Sequence, residues 1–280
     1  MIKQFVNCLI LLAVLLFGSL TQNVEAAYDT KPFDISATRL PKKYQGHDIE
    51  KIFSNLRKKR NDNYAGKGEY ETLEKYKLRI ESEKFKPILG KILIGDFIAI
   101  KTEIIPGNFE REPNKFNAPM SGYNIDNKSL YITLPFAPST TLSEESIIVK
   151  RKSKGNKYLG MNSFGASTYI SNDSHFFYAL TVKNVKDLNT IEEGKYDRYI
   201  EATLQNIEPE KAKKLKGKIS AIYLVSISEP YDDVYSYAHQ ATISSPSADE
   251  YYYYKTYVNI SKIIIYYEPS GEILTTLDYK

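Results

Sequence analysis

Two segments near the start of this chain repeat apolar residues at intervals of three and four positions, and this period predicts two helices. The first segment carries Ile49, Ile52, Phe53 and Leu56. The second, over about residues 70–85, carries Leu73, Tyr76 and Ile80 on one face and ends before Pro87. Because two short amphipathic helices cannot bury their apolar faces alone, we expect both to pack on another layer.

After residue 87 the apolar residues alternate or form short runs, which is typical of strands. Strands are predicted over about residues 92–105, 130–134, 166–170, 176–182, 199–204, 219–227, 257–267 and 272–277. The run 219–227 is the most apolar, and we expect it to be a buried strand. A short helix precedes it, with Pro209 in the first turn and Gly217 past the end.

These elements predict an α+β fold, with an N-terminal helix pair packed on an antiparallel or mixed β-sheet and one short helix before a buried strand. Along the chain they predict a signal peptide at 1–26, an extended lead-in and helical pair at 27–87, and a β-rich region at 88–280. The pattern leaves open whether 88–280 is one domain or two.

The amino terminus has the pattern of a secretory signal peptide. Lys3 precedes an apolar run at residues 8–17, and small residues lead up to Ala26. We therefore predict cleavage after Ala26 and a periplasmic or secreted protein. The run is shorter than the roughly 20 residues that span a bilayer, and no later segment is apolar enough, so no transmembrane span is expected after cleavage. Cys8, the only cysteine, lies in the removed part, so the mature chain must fold without disulfides.

The overall charge is mild, with 38 basic and 34 acidic residues and a formal net charge of +4. Basic residues nevertheless cluster, at Lys150, Arg151, Lys152, Lys154, Lys213 and Lys214 among others. These clusters predict either a solvated surface or a contact with an anionic polymer or lipid of the envelope. Export argues against nucleic acid as a partner.

Tyrosine is the most unusual component, with 24 residues and no tryptophan. Successive strand residues point to opposite faces, so we expect two of the four tyrosines at 251–254 to be exposed. A tyrosine ring gives rigid contact area with a hydrogen-bonding tip, which suits a protein interface. The predicted binding residues are Tyr251, Tyr252, Tyr253, Tyr254 and Tyr257; the alternative is a strand that is rich in tyrosine through β-propensity.

Residue patterns for catalysis and metal binding are sparse. The three histidines form no zinc-binding motif, and the nucleophile motif Gly-x-Ser-x-Gly does not occur. Asp173 with His175 is a candidate for part of a hydrolytic site, and Asp232 and Asp233 with His239 are a candidate metal site. Ordinary polar turns explain both groups. We therefore predict no catalytic residue, no metal and no cofactor.

Residues 67–72, Lys-Gly-Glu-Tyr-Glu-Thr, followed by Tyr76 and Arg79, resemble a helix motif of a group of uncharacterised exported (periplasmic) bacterial proteins. Residues 162–166, Asn-Ser-Phe-Gly-Ala, resemble that group's central Asn-x-Phe-Gly segment, and residues 242–246 and 268–274 resemble its closing strand and turn. The group has no assigned activity, so the resemblance implies an envelope location and no catalytic residues.

Together these features predict an exported, soluble, non-enzymatic binding protein of the bacterial envelope, whose partner is another envelope protein. Two alternatives stay open. One is a binder of anionic envelope polymer or lipid through the lysine clusters, and the other is a hydrolase with an unrecognised site. The sequence does not predict the oligomeric state.

Overall fold

The computed structural model describes residues 27–62, 67–106, 119–136, 144–161, 164–188, 190–193, 197–242 and 245–279. The predicted signal peptide and residues 162–163 lie outside these ranges. The helices are α1 (Ile49–Asp62), α2 (Leu73–Lys84) and α3 (Pro209–Leu215). The strands are β1 (Ile98–Glu103), β2 (Ile105–Pro106), β3 (Met120–Asn124), β4 (Ser129–Pro135), β5 (Ser146–Met161), β6 (Ser167–Val182), β7 (Thr190–Glu193), β8 (Asp197–Leu204), β9 (Ile219–His239), β10 (Ser247–Tyr267) and β11 (Glu272–Asp278).

The strands form two sheets and predominate over the helices of the described chain, so the fold is of the α+β or mostly-β class. The larger sheet has the order β1-β9-β10-β6-β5, and β11 also pairs with β10. It is mixed, because β6 and β10 run parallel while its other pairs are antiparallel. The smaller sheet has the order β2-β3-β4-β8-β7. The predicted terminal hairpin is present as the antiparallel pair β10 and β11.

The main core lies between the two sheets and includes residues of α1 and α3. Leu56, Ile132, Leu215, Tyr223 and Ile263 are buried members of it from α1, β4, α3, β9 and β10. The predicted buried strand is confirmed, since Ile219 to Val225 are all buried. The short helix α3 precedes this strand, as its proline and glycine positions indicate.

The lead-in segment covers the reverse face of the larger sheet. Leu40 and Tyr44 belong to a second buried cluster with Ile264 and Tyr266. His47 joins the segment to β1, since its Nδ1 accepts a hydrogen bond from the Ala99 amide at 2.8 Å. The larger sheet is therefore covered on both sides over its inner half.

The two N-terminal helices pack differently. α1 buries Ile52, Phe53 and Leu56, as its apolar period predicts. α2 leaves Leu73 60% exposed, and it contacts α1 through Lys59, whose Nζ donates to the Glu83 carbonyl at 3.0 Å. The expected packing of both helices on the sheet is therefore not what the structure shows, because α2 keeps much of its apolar face in solvent.

The motif at the start of α2 folds as a local ion-pair clamp. Arg79 donates from Nε and a terminal nitrogen to the two carboxylate oxygens of Glu71, both at 2.8 Å, and the Gly68 amide donates to the same carboxylate at 3.1 Å. The hydrogen bond from Arg79 lowers the pKa of Glu71 to about 2. Thr72 caps the helix by accepting from the Lys75 amide. Tyr70 is 94% exposed, so its ring does not fix α2 to the sheet. The clamp and the Thr72 cap therefore give the motif a structural explanation at the start of α2.

The larger sheet extends beyond its covering layers. β5, β6, β9 and β10 contain 16, 16, 21 and 21 residues, and apart from Tyr231 their outer halves contribute no residue to the main core. On one face, Phe53 of α1 still contacts Tyr178 and Tyr254. The two strands predicted at 166–170 and 176–182 are one continuous strand, β6. We call residues 150–161, 167–178, 232–239 and 247–254 of these strands the projecting sheet.

Candidate functional site

One face of the projecting sheet carries aromatic rings in two rows that cross three strands. Residues two apart on a strand share a face, and the register aligns them with their neighbours. The first row is His175, Tyr251 and Tyr237, and the second row is Phe177, Tyr253 and Tyr235. We call these six residues the aromatic face.

Three of the four neighbouring ring pairs within the rows are stacked, and the fourth, Tyr235 with Tyr253, is tilted by 40° at 6.0 Å. Tyr251 lies 4.9 Å from His175 and 4.7 Å from Tyr237 between ring centroids, and Phe177 lies 4.8 Å from Tyr253. The corresponding planes are 24°, 11° and 12° apart. Neighbouring rings therefore cover each other's flat faces, and Tyr253, in the middle of its row, is only 4% exposed. Tyr235, which is tilted from its neighbour at the end of the second row, is 44% exposed.

Polar groups border the aromatic face on β5 and β10. The Arg151 guanidinium lies 5.8 Å from the Phe177 ring centroid. Ser153 Oγ lies 2.9 Å from His175 Nδ1, and His175 Nε2 lies 3.7 Å from a carboxylate oxygen of Asp249. The face thus combines apolar edges with hydrogen-bonding and charged groups.

Ser153, His175 and Asp249 are the residue types of a hydrolytic triad, but their setting does not suit acyl transfer. The Asp249 carboxylate lies 3.7 Å from His175 Nε2, beyond hydrogen-bond distance, so it does not hold the imidazole as the acid of a triad does. Asp173, which the sequence paired with His175, instead accepts a hydrogen bond from Ser171 Oγ at 2.9 Å. This geometry favours hydrogen bonding to a ligand.

The five tyrosines of the predicted binding set fall in three places. Tyr251 and Tyr253 lie on the aromatic face, whereas Tyr252 and Tyr254 point to the opposite face, as strand alternation predicts. Tyr254 packs against Phe53 of α1 at 5.0 Å between centroids. Tyr257 is buried and donates to a Glu144 carboxylate oxygen at 2.7 Å. The expectation that two of the four neighbouring tyrosines are exposed is wrong, because rings on adjacent strands cover them.

Sequence reasoning missed the other members of the aromatic face. His175, Phe177, Tyr235 and Tyr237 come from β6 and β9, and only strand pairing brings them beside β10. The sequence did contain a signal, because His175 and Phe177 are two residues apart, and so are Tyr235 and Tyr237. It identifies rings on one face of each strand without revealing which strands are neighbours.

The basic residues of the predicted anionic-surface set lie at two separate ends of the larger sheet. Lys150 and Lys152 form ion pairs with Glu50 of α1, and the latter contact measures 2.6 Å. Burial opposes ionisation of Glu50, but the hydrogen bonds from these two lysines outweigh it and lower its pKa. Lys154 is exposed.

Lys213 and Lys214 lie on α3, where Lys214 Nζ is 5.9 Å from the Tyr267 ring. Along β10, Tyr267 lies up to about 45 Å from Tyr253 of the aromatic face. The structure therefore does not join the two lysine clusters into one surface.

A group of buried charges lies where β9 enters the projecting sheet. Asp232 is fully buried, and within the described residues its carboxylate oxygens have no hydrogen-bond partner. The nearest cations are Arg60 at 3.6 Å and Arg57 at 3.9 Å. Burial raises the pKa of Asp232, and the two guanidinium groups oppose it only in part. Lys255 is also buried, 3.9 Å from Asp233.

The candidate metal ligands are not brought together. His239 follows Asp233 by six residues on the same strand, which corresponds to about 20 Å. In the part of the chain that the structure describes, no group of three His, Cys, Asp or Glu residues is placed to hold a metal ion.

A cleft of about 340 Å³ lies between β1 and β5, the opposite edges of the larger sheet. Its lining includes Tyr28, His47, Thr102, Pro119 and Arg151. Two cations at the cleft already have acidic partners, since Lys101 pairs with Glu268 and Lys150 pairs with Glu50. Carboxylates therefore offset these two charges, while Arg151 adds a third cation to the lining.

Comparison with protein-family models, with curated proteins and with solved structures gave no match for this chain. Within the described ranges, no helix has both the length and the apolar character needed to cross a bilayer.

Proposed function

We propose that this chain is an exported, non-enzymatic binding protein of the bacterial envelope, and that its aromatic face binds another protein. The observation that supports this proposal most directly is the pair of aromatic rows on the face of the projecting sheet opposite the face that packs on α1. Aromatic side chains and arginine are enriched at the centres of protein interfaces.

The orientation of the rings favours a protein over a sugar or a nucleic acid. Nucleic-acid bases bind aromatic residues by stacking on the flat ring face, and sugars also pack against it. In the aromatic face, His175 and Tyr237 stack on Tyr251, and Phe177 stacks on Tyr253, at 4.7 to 4.9 Å. Ring edges and hydroxyl tips remain, and these make the mixed apolar and hydrogen-bonding contacts that are typical of tyrosine-rich protein interfaces.

The stacking also lowers the cost of binding. A side chain that becomes ordered on association costs about 0.5–1.5 kcal/mol. Tyr251 and Tyr237 are already held by their neighbours in the free protein, so a partner meets a preorganised surface. Arg151 and Asp249, at the border, supply charges that orient the partner.

Site-specific photocrosslinking in cells tests the proposal. A photoreactive phenylalanine analogue replaces Tyr237 or Tyr251 on the aromatic face. A matched control carries the analogue at Tyr252, the next residue on β10, whose side chain lies on the opposite face of the strand. We expect a discrete protein adduct from positions 237 and 251 and none from position 252. Equal adducts from both faces, or none from the aromatic face, would contradict the proposal.

Affinity measurements with the purified crosslinked partner complete the test. Central aromatic residues of an interface typically contribute 2 kcal/mol or more, so Tyr237→Ser should weaken binding by about thirtyfold. The control Tyr252→Ser should leave affinity within about twofold. Amino-terminal sequencing of the exported protein, with Ala27 expected as its first residue, tests the proposed cleavage after Ala26.

A further inference from the structure

The end of the β5–β6 hairpin exposes large apolar side chains on both of its sides. Leu159 and Tyr169 are cross-strand partners on the side of the aromatic face, and Tyr158 is paired with Ile170 on the opposite side. We call the following residues the apolar tip: Tyr158, Leu159, Met161, Phe164 and Tyr169, which are 46%, 62%, 75%, 93% and 72% exposed. No other stretch of similar length among the described residues exposes as many large apolar side chains.

Basic residues occupy the hairpin directly behind this tip. Residues 150–177 contain five basic residues and one acidic residue, but Lys150 and Lys152 are paired with Glu50. On the neighbouring strand, Asp249 and Glu250 lie beside Asp173 and Ser174, farther from the tip than Lys157. Lys157 lies two residues before Leu159, about 7 Å along the strand, and Lys154 lies about 17 Å from Leu159. Both lysines are exposed, and we call them the basic collar.

We infer that the apolar tip inserts into the interface of an anionic phospholipid bilayer, with Lys157 of the basic collar against the lipid phosphates and Lys154 farther from the membrane. The polar region on each side of a bilayer is about 5–8 Å thick. When Leu159 reaches the acyl chains, Lys157 therefore lies at the level of the phosphates. Interfacial segments of this kind combine an apolar surface with lysines that attract anionic lipid.

The distribution of apolar groups favours a membrane over a protein partner for this part of the molecule. A protein interface covers one side of a hairpin, whereas lipid surrounds an inserted tip on every side. The tip is apolar on both sides, with Tyr158 on one and Leu159 on the other. Insertion is shallow, because in the described chain β5 pairs only with β6 and its outer backbone groups must stay hydrated.

The absence of tryptophan from the sequence allows a direct test. Phe164→Trp introduces a single environment-sensitive fluorophore at the tip, and Tyr70→Trp places a matched reporter at an equally exposed position on the α2 side. With vesicles of phosphatidylglycerol and phosphatidylethanolamine, we expect a blue shift and quenching by brominated lipid for the tip reporter alone. No shift at position 164, or equal shifts at both positions, would overturn the inference.

Two further variants in the Phe164→Trp background separate the apolar and electrostatic contributions. Leu159→Ser with Met161→Ser should lower vesicle affinity at least tenfold. Lys154→Gln with Lys157→Gln should lower it at least fivefold, since a lysine near an anionic surface contributes about fivefold and Lys154, farther from the phosphates, is partly screened. The control Lys213→Gln with Lys214→Gln makes the same charge change at the other end of the sheet and should have little effect. Equal losses for both lysine pairs would overturn the role of the basic collar.

The vesicle experiment is independent of the proposed protein partner. Tyr237→Ser should leave vesicle affinity unchanged, since the aromatic face lies outside the apolar tip. A blue shift at position 164 that requires added envelope protein and not lipid would overturn the inference in favour of a protein contact.

Discussion

Two fully buried tyrosines on adjacent strands should respond in opposite directions to the same substitution. Tyr223 on β9 and Tyr266 on β10 are both 0% exposed. The Tyr266 hydroxyl donates to the Tyr44 carbonyl at 3.0 Å, whereas the Tyr223 hydroxyl has no hydrogen-bond partner among the described residues. Replacement by phenylalanine removes only the hydroxyl, so the two variants compare a satisfied with an unsatisfied buried polar group.

The magnitudes follow from the cost of burying a hydroxyl. An unsatisfied buried polar group costs about 1–3 kcal/mol, and a typical hydrogen bond contributes about 0.5–1.5 kcal/mol. We expect Tyr223→Phe to raise the free energy of unfolding by about 1 kcal/mol. Tyr266→Phe should lower it by about 1–2 kcal/mol, because it also leaves the Tyr44 carbonyl without this donor. The two variants should therefore differ by about 2–3 kcal/mol.

Urea unfolding followed by circular dichroism measures this difference. With a slope of about 3 kcal/mol per molar urea, the two midpoints should be separated by about 0.7–1 M, with Tyr223→Phe the higher. Equal slopes are required for the comparison. If Tyr223→Phe were as destabilising as Tyr266→Phe, the Tyr223 hydroxyl would have a partner, such as a buried water, and the reasoning would be refuted.

Two other changes test charged groups. The folded-state pKa of Asp232 is raised by burial, so this carboxyl makes the protein less stable as pH rises from its unfolded value of 3.8 through the folded one. Asp232→Asn should remove that loss and raise the free energy of unfolding by about 1–2 kcal/mol at pH 7, with no difference below about pH 3.8. The control is Asp233→Asn, at the neighbouring half-exposed position. Urea unfolding across pH measures both variants. Glu71→Gln should release the clamp at the start of α2 and increase amide hydrogen exchange over residues 73–84. Glu74→Gln, which changes an exposed side chain on the same helix, should not increase it. Unchanged exchange in Glu71→Gln would show that the clamp does not hold α2.

Local patterns in the sequence predicted many of the individual elements. The three-and-four spacing predicted α1, and the proline and glycine at its ends predicted α3. The same approach predicted too much burial for α2. Its apolar stripe of Leu73, Tyr76 and Ile80 has the helical period, but period alone does not show whether a covering layer exists. The clamp between Glu71 and Arg79 holds the start of α2 while Leu73 stays in solvent.

The composition of the candidate surfaces was visible in the sequence, but their arrangement was not. The four consecutive tyrosines drew attention to β10, and alternation along the strand correctly divided them between two faces. Their exposure could not be predicted, because it depends on rings from β6 and β9. Similarly, Lys150, Arg151, Lys152 and Lys154 are one basic run in the sequence, yet Glu50 of α1 pairs with two of them.

The sequence by itself determined the predominance of strands after the first helices, the buried strand at 219–227, the short helix before it and the terminal hairpin. These depend on apolar period and turn residues within about ten positions, which act locally. Tertiary structure alone decided that β6 lies parallel to β10, that the lead-in covers the sheet, and that four long strands extend beyond the core. The physical reason is that pairing between distant strands depends on packing and backbone hydrogen bonds across the whole chain. The aromatic face and the apolar tip both arise from that pairing.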